Sequence, residues 1–230
     1  RQNKGASYHG GPIQEHVSAM KLISEYFPLH RCLESLAMLC GELFNIRMRR
    51  VSLEPKEDWS MSTGNTGTNS GGLFKYEMFD ESAQVPLGFV YFDTFKRAHK
   101  FRENAHFTIQ CGCANNNTDA LLRKHPSIDS SSQSLFRWFS GSETDQPRSG
   151  AAENPQLPIV VLVLNIDSFN LTLHELETLY HEFGHALHSV LSKTTYQHLS
   201  GTRGGLDFIE IPSHLFEYFA RSKEILKLCW

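Results

Sequence analysis

The chain has 230 residues, with 22 Lys and Arg against 25 Asp and Glu, a formal charge of -3, 40% apolar residues and 20% charged residues. That length and balance exclude a disordered charged tail or a collagen-like chain, and they allow one large domain or two small ones with a real core. The longest apolar run, Ile159 to Leu164, is far short of the ~20 residues that cross a bilayer, and no basic surplus favours nucleic acid or an anionic membrane, so neither is expected as a partner.

From Arg31, apolar residues recur at Cys32, Leu33, Leu36, Leu39, Cys40, Leu43 and Phe44. That spacing predicts an amphipathic helix to about Asn45, after a short helix or extended entry over residues 12 to 27. Ile46 to Leu53 reads as a strand or extended exit. Ser60 to Gly72 is Ser, Thr, Gly and Asn with almost nothing apolar, and is expected to be a flexible insertion. Leu73 to Phe79, Gly88 to Asp93 and Ala105 to Ile109 read as strands of a small, mostly antiparallel sheet. Ala114 to Gln156 is polar and too long for an ordinary connection, so a second flexible insertion is expected there. Leu157 to Leu164 does not alternate and reads as a fully buried strand.

Thr172 with Glu175 three residues later is a capping box, and it opens a helix expected from Leu173 to Ser192. A loop through Gly201-Thr-Arg-Gly-Gly205 leads to a second helix carrying Phe208, Ile211, Leu215, Phe216 and Phe219. Pro212 is expected in its first turn, where proline is tolerated.

The five cysteines, Cys32, Cys40, Cys111, Cys113 and Cys229, are odd in number and irregularly spaced. They read as thiols in a reducing compartment rather than a disulfide framework, and Cys111-Gly-Cys113 has no second pair with which to hold a metal. The chain begins at Arg1 without a targeting core and ends on an amphipathic run with no stop signal, so it reads as a piece of something longer.

His181-Glu182-Phe183-Gly184-His185 lies inside the capped helix. Residues i and i+4 share a helical face about 6 Å apart, so two imidazoles there can converge on one Zn²⁺. Glu182, rotated by about 100°, flanks the ion and can accept a proton from an attacking water. Six of the twelve histidines fall between His174 and His214, which sets this stretch apart from an accidental match. A catalytic zinc needs a third protein ligand and an open position. His188 shares the face but lies ~10.5 Å along the axis from His181, so it reads as a supporting or packing histidine. Asp207, Glu210 and Glu217 are the downstream carboxylates. A facing helix is the natural source of the third ligand, and Asp207 can orient a ligating histidine. The plainer alternatives are Asp207 as a helix cap and Glu217 as a solvated face or polar partner.

His181-Glu-Phe-Gly-His-Ala-Leu-His188, Gly201-Thr202 and Asp207-Phe-Ile-Glu-Ile-Pro-Ser213 together resemble the thimet oligopeptidase (M3) family of zinc peptidases. Tyr196-Gln-His198, Gly201-Thr-Arg203, Glu217-Tyr-Phe-Ala220, Gly88 to Asp93 and Ala105 to Ile109 look most like its branch that processes imported mitochondrial precursors. The resemblance covers most of residues 26 to 110 and 157 to 220. It implies an α+β chain, a mainly helical zincin-type catalytic region with the small sheet. It further implies that His181, His185 and Glu210 ligate one Zn²⁺ per chain and that Glu182 is the general base. His188 and Asp207 would support the ligands or face substrate. The implied function is a zinc-dependent oligopeptidase that cuts short peptides or removes N-terminal octapeptides from precursors in the mitochondrial matrix, the cytoplasm being the alternative location. Family members are longer and carry a helical N-terminal half, and further histidine and tyrosine residues after the third ligand. Arg221 to Trp230 departs from the family pattern. The chain is therefore expected to be a partial catalytic domain. The alternatives are a truncated piece that binds zinc or peptide without efficient turnover, and a structural zinc domain. Against the last stand Glu182 and the lack of a cysteine quartet.

Overall fold

Pro28 leads into helix α1 (Leu29–Phe44), whose stripe of Leu29, Cys32, Leu33, Leu36, Leu39 and Cys40 is buried. The helix ends at Asn45, which adopts φ 54° and returns its N–H to the Gly41 carbonyl; asparagine is among the few residues that take this left-handed conformation readily. In the computed structural model the described residues are 23–59, 72–114, 155–192 and 194–230. Residues 12–22 of the entry expected over 12 to 27, and nearly all of the two expected insertions (60–71 and 115–154), lie outside them.

Five strands follow: β1 (Ile46–Val51), β2 (Leu73–Asp80), β3 (Val85–Phe95), β4 (Ala105–Gln110) and β5 (Ile159–Ile166). They form one sheet in the order β1-β2-β3-β5-β4. Three pairings are antiparallel and the central one, β3 with β5, is parallel. The sheet is thus mixed and mostly antiparallel. Beside it lie α2 (Leu173–Leu191), a short 3₁₀ turn (Gln197–Leu199), α3 (Leu206–Arg221) and α4 (Lys223–Cys229).

The helices share one face of the sheet. Val90 and Phe92 of β3 and Val160, Leu162 and Leu164 of β5 join the helix stripes in the main core. Tyr91, Val161 and Val163 point the other way into a smaller cluster with Leu73. β5 is buried on both sides, which is why its sequence does not alternate.

Helix α2 starts where its sequence says. The Thr172 side chain accepts from the Glu175 N–H, and the Glu175 carboxylate accepts from the Thr172 N–H at 2.8 Å. Phe183 is fully buried, stacked on Phe92 at 6.2 Å and beside Phe216 of α3 at 5.6 Å. Burying one such ring is worth about 1.5–3 kcal/mol, and it turns the neighbouring histidines to the opposite side. Helix α3 begins earlier than its sequence suggested. Its cap is Gly205, so Pro212 falls in the second turn rather than the first. The missing N–H of Pro212 leaves the Phe208 carbonyl without its usual helical partner.

Candidate metal centre

Two helices supply the donors, and one glycine lets them approach. A Cβ built on Gly184 would lie 2.6 Å from both the Pro212 carbonyl oxygen and the Ser213 Cα, closer than atoms can pack. Backbone therefore meets backbone at the crossing of α2 and α3. That contact brings Glu210 under the two histidines of α2. Nε2 of His185 is 3.2 Å from Oε2 of Glu210, and Nε2 of His181 is 3.6 Å from the same oxygen. The three donor atoms all lie within 4.8 Å of one another. Ligand bonds of ~2.0–2.2 Å in a tetrahedron put neighbouring donors about 3.4 Å apart, so this set fits a zinc-sized ion. Nδ1 of His185 is buried; its ring lies beside the Ile209 backbone and makes no well-formed hydrogen bond at that nitrogen among the described residues.

Two of the three donors are held by a further group. Ser213 Oγ donates to Oε2 of Glu210 at 2.7 Å. Nδ1 of His181 is 2.6 Å from Oε1 of Glu217. With the ring proton shared there, Nε2 keeps its lone pair for an ion, the carboxylate-histidine arrangement of metal sites. Burial lowers the His185 pKa, which keeps the ring neutral as a ligand must be. Burial would raise the Glu210 carboxyl, but the bond from Ser213 and the neighbouring imidazoles outweigh it and hold the group below its ordinary value.

Glu182 is buried beside this cluster. Burial raises its pKa, Glu210 adds to the rise, and His181 and the His106 backbone N–H oppose it. A raised carboxyl pKa makes a better proton acceptor than a free carboxylate. His106, on β4, stands behind the centre: its ring is 6.1 Å from that of His185 and its Nε2 is 3.1 Å from Ser189 Oγ.

The other sequence candidates lie further out. His188 packs edge-on to Phe208 at 5.8 Å and, among the described residues, is in neither metal-capable group. Asp207 is exposed in the first turn of α3. The carboxylate that reaches a ligand-positioned ring is Glu217, a downstream carboxylate whose plainer reading was a solvated face or polar partner. Ser213 and His106 were quoted only inside longer patterns. Their roles depend on helix crossing and strand placement, and only the serine's spacing of three from Glu210 hinted at one.

Residues 8–229 match the model of peptidase family M3. The chain belongs to peptidase family M3. The match runs to residue 229 and so includes the segment after Arg221 that had looked unlike the family. Among curated relatives, the mitochondrial intermediate peptidase of Arabidopsis thaliana is 35% identical over 212 residues, covering 90% of this chain and 24% of that protein. The mitochondrial intermediate peptidase of Mycosarcoma maydis is 31% identical, with 92% and 26% covered. That of Saccharomyces cerevisiae is 32% identical, with 90% and 24% covered. The chain thus spans about a quarter of the length of the curated relatives it matches. Among the described residues no helix is long and apolar enough to cross a membrane.

Proposed function

We propose that this chain carries the catalytic centre of a zinc metallo-oligopeptidase, in which one Zn²⁺ is held by His181, His185 and Glu210. The observation that carries the reading is the convergence of those three donor atoms within 4.8 Å of one another beside a buried carboxylate, Glu182. A zinc held there would supply a Lewis acid that polarises the scissile carbonyl and the attacking water. Glu182 accepts the proton of the attacking water and passes it to the leaving amine. Glu217 fixes the tautomer of His181, and Ser213 fixes the Glu210 carboxylate. β4 ends the sheet next to this centre, with Phe107 and Ile109 exposed, and its outer edge suits an extended peptide.

By the resemblance to family M3 and to mitochondrial intermediate peptidases, the substrates are short peptides or the N-terminal octapeptides of imported precursors, and the site of action is the mitochondrial matrix. The same reading treats the chain as one partial catalytic domain with insertions at 60–72 and 114–156. Hydrogen bonds at their margins support it. The Gly72 carbonyl accepts from Thr94 while Trp59 donates to Asp93, and Cys113 pairs with Gln156, so each segment leaves and returns at one place. A second reading holds for these 230 residues taken alone: zinc binding with slow turnover. The short share of the relatives' length favours it.

Zinc stoichiometry and cleavage of a quenched peptide test both readings on one preparation. Glu182→Gln should keep one zinc per chain and lower turnover by about 10²-fold or more. Normal turnover in the metal-loaded variant removes Glu182 from the mechanism. His185→Ala should empty the site and His188→Ala should not. One zinc per chain without turnover selects the second reading.

A further inference from the structure

His181 faces two carboxylates at once. Its Nε2 is directed at Glu210 and its Nδ1 at Glu217, 3.6 Å and 2.6 Å away. One turn beyond Glu210 on α3, His214 brings Nδ1 to 3.2 Å from the same Glu217 oxygen. The rings of His181 and His214 meet edge to face at 5.4 Å. His181, His214 and Glu217 therefore present three donor atoms within 4.8 Å of one another, a second set that shares a ring with the first. The two sets differ in access. The His214 side chain is 60% exposed and that of His185 only 11%. A shallow cavity lined by His214, Glu217, Tyr218 and Arg221 opens to solvent at the second set.

We infer that His181, His214 and Glu217 form an outer metal seat that takes a divalent cation from solvent and passes it to the inner seat of His181, His185 and Glu210. The inference rests on the inner seat being a metal site. A neutral imidazole has one lone pair and one N–H, so His181 serves one seat at a time. With the ion outside, Nδ1 is the ligand and the proton sits on Nε2, facing Glu210. On transfer, the bond to Nδ1 breaks and one to Nε2 forms; the Nε2 proton leaves to solvent water and Nδ1, facing Glu217, takes one from water. The net proton count is unchanged. Glu210 and Glu217 exchange the tasks of ligand and proton acceptor. A helper that only oriented His181 would need Glu217 and would have no use for His214.

Co²⁺ and Zn²⁺ alone serve as probes, on the full chain. The wild type should bind one ion at saturation. A His185→Ala, Glu210→Ala double variant loses the inner donors and should retain one weaker Co²⁺ site, seen by absorbance. Adding His214→Ala should weaken that site by about 10-fold or more, by the loss of a ligand. A folded double variant with no Co²⁺ site, or a residual affinity indifferent to His214, overturns the outer seat and leaves the inner one standing. A wild type that binds no ion overturns both. Uptake kinetics decide even if the double variant does not fold. His214→Ala, a surface change, should slow Zn²⁺ loading of the metal-free chain by about 10-fold or more while final occupancy stays at one. Equal loading rates overturn the proposal.

Discussion

Two charged clusters flank the sheet, and they solve the problem of partly buried carboxylates in different ways. On the face away from the helices, Asp93 takes both arms of the Arg97 guanidinium at 2.5 and 2.7 Å, the Lys100 ammonium at 3.0 Å and the Trp59 N–H at 3.0 Å. Nearby, Glu57 accepts from Lys75 at 2.6 Å and from the Tyr91 hydroxyl at 2.8 Å. Every carboxylate there has a permanent cation. On the helix face, Glu182, Glu210 and Glu217 face imidazoles, which carry no fixed charge at neutral pH. The first cluster is complete without any added ion. The second gathers negative charge and lone pairs around a space that a dication would balance. The same residue types thus serve a structural pairing in one place and an open donor set in the other.

The largest expected effect breaks the closed cluster. Asp93→Ala leaves Arg97 and Lys100 facing each other, and the Lys100 side chain is only 3% exposed. Loss of one partner from such a pair costs about 3–5 kcal/mol, so urea unfolding should show that loss equally with and without zinc. A loss that zinc restores would mean that the two clusters are coupled through the sheet.

Acid separates the two next. Burial, with His185 and His188 nearby, pushes His106 down to about 4 from an ordinary 6.5. A depressed histidine binds its proton more readily in the unfolded chain. Its contribution is therefore present above pH 6.5, is lost as pH falls toward 4, and changes no further below that. The metal-free chain should lose up to about 3 kcal/mol over that window through this ring. His106→Asn should reduce the slope there, leaving the part that His185 and His188, also lowered by burial, contribute. Asp93, whose pKa is lowered because its bonds to Arg97, Trp59 and Lys100 outweigh burial, should leave the window unchanged. A profile that His106→Asn does not alter would show that the ring titrates normally.

Smaller effects probe the construction of the open set. Gly184→Ala places a methyl against the Pro212 carbonyl and Ser213 Cα, and backbone cannot rotate away. Overpacking of about 1–3 kcal/mol is expected, and zinc affinity should fall with it because α3 carries Glu210. Unchanged stability with unchanged zinc affinity would show that the crossing is looser than its geometry implies. Ser213→Ala removes the hydroxyl that holds Glu210 and should weaken zinc by about 10-fold with little effect on folding.

The legible parts of the molecule are those set by local chemistry. Thr172 and Glu175 announce the start of α2, and the histidine spacing follows from helical pitch. β5 reads as doubly buried from composition alone. The parallel pairing of β3 with β5 was not legible, since nothing local distinguishes a parallel neighbour from an antiparallel one. The start of α3 was misjudged because proline signals a first turn by propensity, while the contact with Gly184 accommodates it a turn later. Glu217 and His106 escaped for a related reason. Their partners lie 36 residues away for Glu217 and 83 for the Ser189 bond of His106, and only the packed fold brings them together.

The contact at Gly184 also acts as a mechanical stop. Side chains in a core can be traded for others of similar bulk, and helices that rest on side chains shift when this happens. Here the crossing of α2 and α3 rests on main chain atoms, which are the same in every sequence. The gauge between Glu210 and the two imidazoles is thereby decoupled from drift in the hydrophobic residues beneath. Phe183, Phe216 and their neighbours are free to vary in bulk while the distance between Glu210 and the two rings stays put.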